Sequence, residues 1–130
     1  MWMLDTDTCS YILREYSPNV LARLDAVPRS SVAISAIVAA ELRFGAERVK
    51  SRRLIAMVDA WLDLFAVEAW DDDAARAYAK VRTALEVKGK PIGNLDLLIA
   101  AHAVSRRAKL VTNNTRHFAQ VPGLKIENWI

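Results

Sequence analysis

The sequence predicts an α/β fold in three layers, with a central parallel sheet of four to five short strands and helices on either side. Two observations carry that prediction. Short apolar runs alternate with helix-period segments along the whole chain, which is the pattern of βαβ units and their parallel strands. The segment Leu95 to Arg106 is apolar nearly all round, and such a helix belongs in the middle of a domain. The totals agree: 130 residues, 53% hydrophobic and 25% charged, describe one globular domain over 1–130 that can bury its own core, and they exclude a disordered chain.

Trp2 to Leu4 is a short apolar run ending at Asp5 and reads as a buried strand. Thr6, Asp7 and Thr8 offer N-caps to a short helix over Cys9 to Arg14. Ser17-Pro18 starts a helix over Asn19 to Ala26, which Pro28 ends. Val32 to Ser35 is the second strand. Ala36 to about Lys50 is helical, and Ser51 to Phe65 follows with Leu54, Val58, Trp61 and Phe65 along one face. Val67 to Ala69 is the third strand. Asp71, Asp72 and Asp73 open a helix whose Ala74, Tyr78, Val81 and Leu85 recur at helical spacing as far as Gly89. Lys88 to Asn94 is a turn-rich loop before the apolar helix. Lys109 to Thr112 is a strand, Asn113-Asn114 a turn, and Leu124 to Ile126 an edge strand.

A net charge of +3 permits a polyanionic partner without requiring one. Cys9 is the only cysteine, so no disulfide closes within the chain, and it reads as a buried structural thiol of a reducing compartment. With His102 and His117 the only histidines, a zinc site of Cys and His ligands lacks material. Met1-Trp2-Met3-Leu4-Asp5 has no basic region followed by a long apolar stretch, and no run of about 18 apolar residues occurs, so a cytoplasmic location without a membrane span is expected.

The informative residues are acids in apolar company. Asp5 ends the first strand at the carboxyl edge of the sheet, where ligands of such folds collect; a helix cap explains it equally well. Glu41 falls within an arc of Ile37, Val38, Leu42, Phe44, Gly45 and Val49, where an unpaired carboxylate is costly; an ion pair with Arg48 is the alternative. Asp96 opens the most apolar helix, where its charge suits the dipole, although Gly93 and Asn94 can cap the same end. One or two divalent cations give the three a shared reason, and oxygen donors favour Mg²⁺ or Mn²⁺ over zinc.

These residues sit in segments that resemble a known family. Met3-Leu4-Asp5-Thr6-Asp7, Ala40 to Ala46 with Glu41 and Gly45, Gly89 to Ala103 around Asn94-Leu95-Asp96, and Leu110 to Phe118 are similar, in order, to the motifs of PIN-domain ribonucleases of the VapC type. Gly123-Leu124 and Trp129 resemble its closing segment. The resemblance implies a Mg²⁺- or Mn²⁺-dependent endoribonuclease, the toxin of a type II toxin–antitoxin pair. It implies that Asp5, Glu41 and Asp96 hold the metal, that Asn114 stands where many relatives carry aspartate, and that His117 stands where an acid is common. Asp7 replaces the usual Asn and either adds charge or caps the first helix. Thr112 and Asn114 would position water or phosphate, and Ser35 would do so or cap the helix that follows it. It further implies tRNA as substrate, with initiator tRNA the first choice, a VapB-type antitoxin as inhibitor, and a homodimer.

Basic residues cluster at Arg48, Lys50, Arg52 and Arg53, at Lys88 with Lys90, and at Arg106, Arg107 and Lys109. Arg48, Lys90 and Arg116 are the ones assigned to an RNA backbone, against the ordinary alternative of solvated faces. Trp61, Leu62 and Phe65 offer either partner contacts or core. Two rival functions remain open. Asp5-Thr6-Asp7 after a strand also resembles haloacid-dehalogenase-like phosphatases, and a domain without a fourth acid could serve as an antitoxin-binding co-repressor that no longer cuts.

Overall fold

The computed structural model describes residues 1–14 and 17–130. Five strands, β1 (Trp2–Leu4), β2 (Val32–Ser35), β3 (Ala66–Glu68), β4 (Lys109–Val111) and β5 (Lys125–Glu127), form one sheet. Their order is β3-β2-β1-β4-β5 and every pairing is parallel. Among the described residues seven helices join them: α1 (Thr6–Arg14), α2 (Pro18–Ala26), α3 (Ala36–Val49), α4 (Arg52–Leu62), α5 (Asp72–Val87), α6 (Asn94–Ser105) and α7 (Thr115–Phe118). Successive strand residues face opposite sides of a sheet, and all four residues of β2 are buried, so both faces are covered, as the alternating pattern predicts.

The helix starts follow from single side chains. Asp5 caps α1, its Oδ1 accepting from Thr8 N at 2.8 Å. Ser17 caps α2, Ser35 caps α3, Ser51 caps α4 and Asp71 caps α5, each accepting a backbone N–H of the first turn. Gly89, at φ 67°, lets the chain leave α5 in the left-handed conformation, with Lys90 N bonded to Leu85 O at 2.9 Å. Differences from the sequence reading lie at the ends. Helix α1 begins three residues early because Asp5 supplies the cap. Helix α4 stops at Leu62, β3 and β5 are each displaced by one residue, and α7 and a 3₁₀ turn at Arg29–Ser31 replace irregular chain.

Helix α6 lies in the interior, with Leu97, Ile99, Ala100, Ala101, His102 and Ala103 buried. Leu62 and Phe65 are core, and Trp61 packs its ring 4.6 Å from that of Phe65, so the apolar stripe of α4 serves the interior. Two members of the third basic cluster are tied up structurally. Arg106 reaches back to Asp71 at 2.8 Å and joins the end of α6 to the start of α5, and Lys109 lies 3.5 Å from Glu127.

Glu127 closes the sheet edge. Its Oε2 accepts from Trp2 Nε1 at 2.8 Å and from Trp129 Nε1 at 3.1 Å, and Arg23 lies 3.5 Å away. Desolvation pushes this carboxyl up, but the two indole donors and Lys109 outweigh it and hold it below its ordinary value. A carboxyl lowered on folding adds stability above its unfolded pKa and loses it as pH falls through the folded one. Glu127→Ala is expected to cost about 1–3 kcal/mol at pH 7, because two indole N–H groups lose their acceptor. The gap from wild type in urea denaturation should narrow as the buffer is taken below the carboxylate range; a gap independent of pH would mean that packing alone supplies the effect.

Candidate active site

The chain builds β2 and β3 on one side of β1, then crosses to lay β4 and β5 on the other. Ligand crevices form at such switch points, beyond the carboxyl ends of the strands. Asp5 is the first residue after β1 and is 5% exposed. Besides Thr8 N, it receives a hydrogen bond from Thr112. Capping and ligand binding are compatible in one carboxylate, which has about four lone-pair positions.

Glu41 stands on α3 at the margin of the buried stripe formed by Val38, Ala39, Leu42 and Ala46. That stripe is narrower than the arc read from the sequence: Phe44 is 65% exposed and Val49 61%. The partner of Glu41 is Thr6, whose Oγ1 donates to Oε1 at 3.0 Å, and Arg48 makes no ion pair with it among the described residues. Asp96 lies in the first turn of α6, and its Oδ2 is 3.2 Å from His117 Nε2 on α7.

These side chains open on one cleft of about 110 Å³, lined by Asp5, Thr6, Asp7, Glu41, Asp96 and Asn114, with Phe118 as its apolar wall. Burial pushes the Asp5 carboxyl up, hydrogen bonds from Thr112 and Thr8 draw it back, and the charge of Asp7 adds to the rise. Glu41 is raised by burial and by Asp96, Asp7 and Asp5 against the Thr6 hydrogen bond. Burial raises the Asp96 carboxyl, His117 draws it back, and the charge of Asp7 adds to the rise. The cleft therefore concentrates negative charge that its own residues do not neutralise.

A divalent cation would neutralise it, and the donors are the oxygens that hard cations take. Among the described residues, no three His, Cys, Asp or Glu side chains stand close enough to ligate one ion together. The arrangement fits a cation that keeps several waters and takes only one or two carboxylates directly.

The PIN domain family matches residues 2–124. The chain is 37% identical to the ribonuclease VapC2 of Rickettsia felis, over 99% of this chain and 98% of that one. This chain belongs to the PIN-domain family, among the VapC ribonucleases. It is also 36% identical to the tRNA(fMet)-specific endonuclease VapC of Salmonella typhimurium, over 98% of this chain and 97% of that one. The DNA-bound VapBC2 of Rickettsia felis superposes with a TM-score of 0.90 at 36% identity, and the DNA-bound VapBC of Salmonella typhimurium with 0.90 at 37%, each covering 99% of this chain and 98% of the other. Membership makes this PIN domain a metal-dependent nuclease and removes the phosphatase alternative.

Not every residue singled out in the sequence reaches the cleft of this PIN domain. Asp7 does, from the first turn of α1, and the capping role offered to it belongs to Asp5. Thr112 is fully buried behind the cleft, accepting from Asn114 N at 3.0 Å, and so orients Asp5 and the Asn114 turn rather than touching a ligand. Ser35 is 1% exposed, caps α3, lies 2.7 Å from His102 Nδ1 and does not line the cleft. Arg48 lines a neighbouring groove that begins at Thr6 and Glu41, whereas Lys90 and Arg116 are exposed and line neither. Sequence reasoning missed the anchoring role of Thr6, the wall made by Phe118 and the His117–Asp96 contact. Only the adjacency of Thr6 to Asp5 hinted at the first.

Proposed function

We propose that this PIN domain is the toxin of a type II toxin–antitoxin module: a Mg²⁺- or Mn²⁺-dependent endoribonuclease that hydrolyses RNA phosphodiesters, with tRNA as substrate class. The observation that carries the reading is the convergence of Asp5, Glu41 and Asp96, with Asp7 and Asn114, on one cleft at the switch point. When bound, the cation lowers the pKa of a coordinated water and neutralises charge on the phosphate. The chain's own residues prepare that chemistry. Thr8 and Thr112 fix the Asp5 carboxylate, Thr6 fixes Glu41, and His117 fixes Asp96. Phe118 excludes water from one wall, and the exposed Asn114 amide can donate to a phosphate oxygen.

Relatives support the substrate and the partner. The similar proteins of Salmonella typhimurium and Shigella flexneri are tRNA(fMet)-specific endonucleases, which makes initiator tRNA the first transcript to test. The similar solved structures are VapBC complexes on DNA, which supports a VapB-type antitoxin as partner; a homodimeric toxin is part of the same proposal. The groove beyond Glu41 has an apolar floor of Leu42, Ala46, Leu54 and Val58 with Arg48 at its rim, a surface suited to the inhibitory segment of that antitoxin.

Protein freed of antitoxin is expected to cut tRNA transcripts in Mn²⁺ or Mg²⁺ and to leave them intact in EDTA. At a cation concentration about 100 times Kd, binding adds about 2.7 kcal/mol to stability, visible as a rise in melting temperature. Intact RNA with every divalent cation, together with no rise in melting temperature, would leave the co-repressor role as the better reading.

A further inference from the structure

A second cavity shares Asp7 with the acidic cleft and extends from it along α1. Asp7, Ser10, Tyr11 and Arg14 line one side, spaced i, i+3, i+4 and i+7 and hence along one helix face. Asn113, from the turn after β4, lines the other side next to Asn114. The opposite face of α1 carries Thr8, Cys9 and Ile12 into the core. The volume is about 310 Å³, at the small end of the range for ligand pockets. From Asp7 to Arg14 the helix rises about 10 Å, which leaves room for a nucleoside between the acidic cleft and a guanidinium.

The lining chemistry selects among occupants. A phenol ring offers a stacking face, a carboxamide offers a donor and an acceptor side by side, and a guanidinium suits a phosphate or a second stacking plane. These groups together read unpaired nucleotides. A peptide with an apolar anchor would find its floor instead in the adjoining groove over Leu42, Ala46, Leu54 and Val58, which shares only Ser10 and Arg14 with this cavity. We infer that this cavity is a nucleotide subsite, which receives the nucleobase flanking the scissile phosphate. Tyr11 stacks on the base, Asn113 reads its edge, and Arg14 holds the neighbouring phosphate. The inference rests on the ribonuclease reading above and adds to it where sequence preference arises.

The test is end-mapping of cleavage by the full chain in Mn²⁺ on short single-stranded RNAs carrying each of the four bases on either side of the cut. Wild type is expected to favour one base at one flanking position. Asn113→Ala should flatten that preference. Tyr11→Leu should raise KM about tenfold, the size of one lost stacking contact, with kcat nearly unchanged. Asn113 is exposed, so its variant remains informative if Tyr11→Leu folds poorly. Cleavage that persists in Asn113→Ala with the wild-type preference and KM overturns the subsite and leaves the nuclease standing. The same holds if that variant weakens only the complex with antitoxin. A wild type that cuts no RNA in any divalent cation overturns the nuclease reading, and the subsite with it.

Discussion

Asp96→Asn is expected to abolish cation-dependent RNA cleavage while raising the melting temperature of the cation-free protein. Loss of a group that merely orients a metal ligand costs 10- to 100-fold, so loss of a ligand carboxylate should cost more than about 100-fold. The stability change has the opposite sign because burial raises the Asp96 carboxyl, with only partial relief from His117. A raised carboxyl means that the folded chain holds the proton more tightly than the unfolded one, so stability falls as pH rises from the unfolded value to the folded one. Above that window the ionised side chain opposes folding, and the amide removes the opposition. The difference in melting temperature should be largest at neutral pH and close as pH drops below the carboxylate range, and Mn²⁺ should stabilise wild type alone. Asp5→Asn should silence cleavage in the same way and still cap α1, since an amide oxygen can also accept from Thr8 N. Asp5→Ala adds a lost cap, about 1 kcal/mol. Variants that cut as well as wild type would show that the acids are bystanders.

Phe118→Ala should destabilise the domain by about 3–5 kcal/mol, a large share of the total for a chain this size. Phe118 is 1% exposed although it sits on a helix of only four residues, and the same ring walls the acidic cleft. Its removal leaves a cavity that so short a helix cannot refill by tightening its own contacts. Urea denaturation would show the loss as a lower midpoint, and Phe118→Leu should recover most of it. A cost under about 1 kcal/mol for the alanine variant would mean that α7 contributes little to the core.

The layers and the parallel sheet of this fold were legible because β1, β2 and β4 are buried on both faces and therefore read as apolar runs, and because α6 is apolar all round, whereas the strand order was not. The acids were legible for a related reason: charge is costly beside Leu4, Ile37 or Leu97, and the cost points to a ligand. What supports the acids was not. Thr6 on Glu41 and Thr112 behind Asp5 join residues 35 and 107 positions apart, and no periodicity carries such a pairing. The width of the buried stripe on α3 was overstated because Phe44 and Val49 are apolar yet face outward. The basic clusters misled in the opposite direction. Arg106 and Lys109 look like a polyanion surface in sequence, and in three dimensions they hold Asp71 and Glu127.

The cleft draws its side chains from the exit of β1, the middle of α3, the first turn of α6 and the turn after β4, so they are synthesised far apart in time. The central strand β1 emerges first, yet its neighbour β4 is among the last elements to leave the ribosome. A nascent chain that has not reached Asp96 carries Asp5 and Glu41 without the third acid, and one that stops short of Lys109 has no β4 against which to set Asp5. The full set of cleft residues is present only once the chain extends through α7.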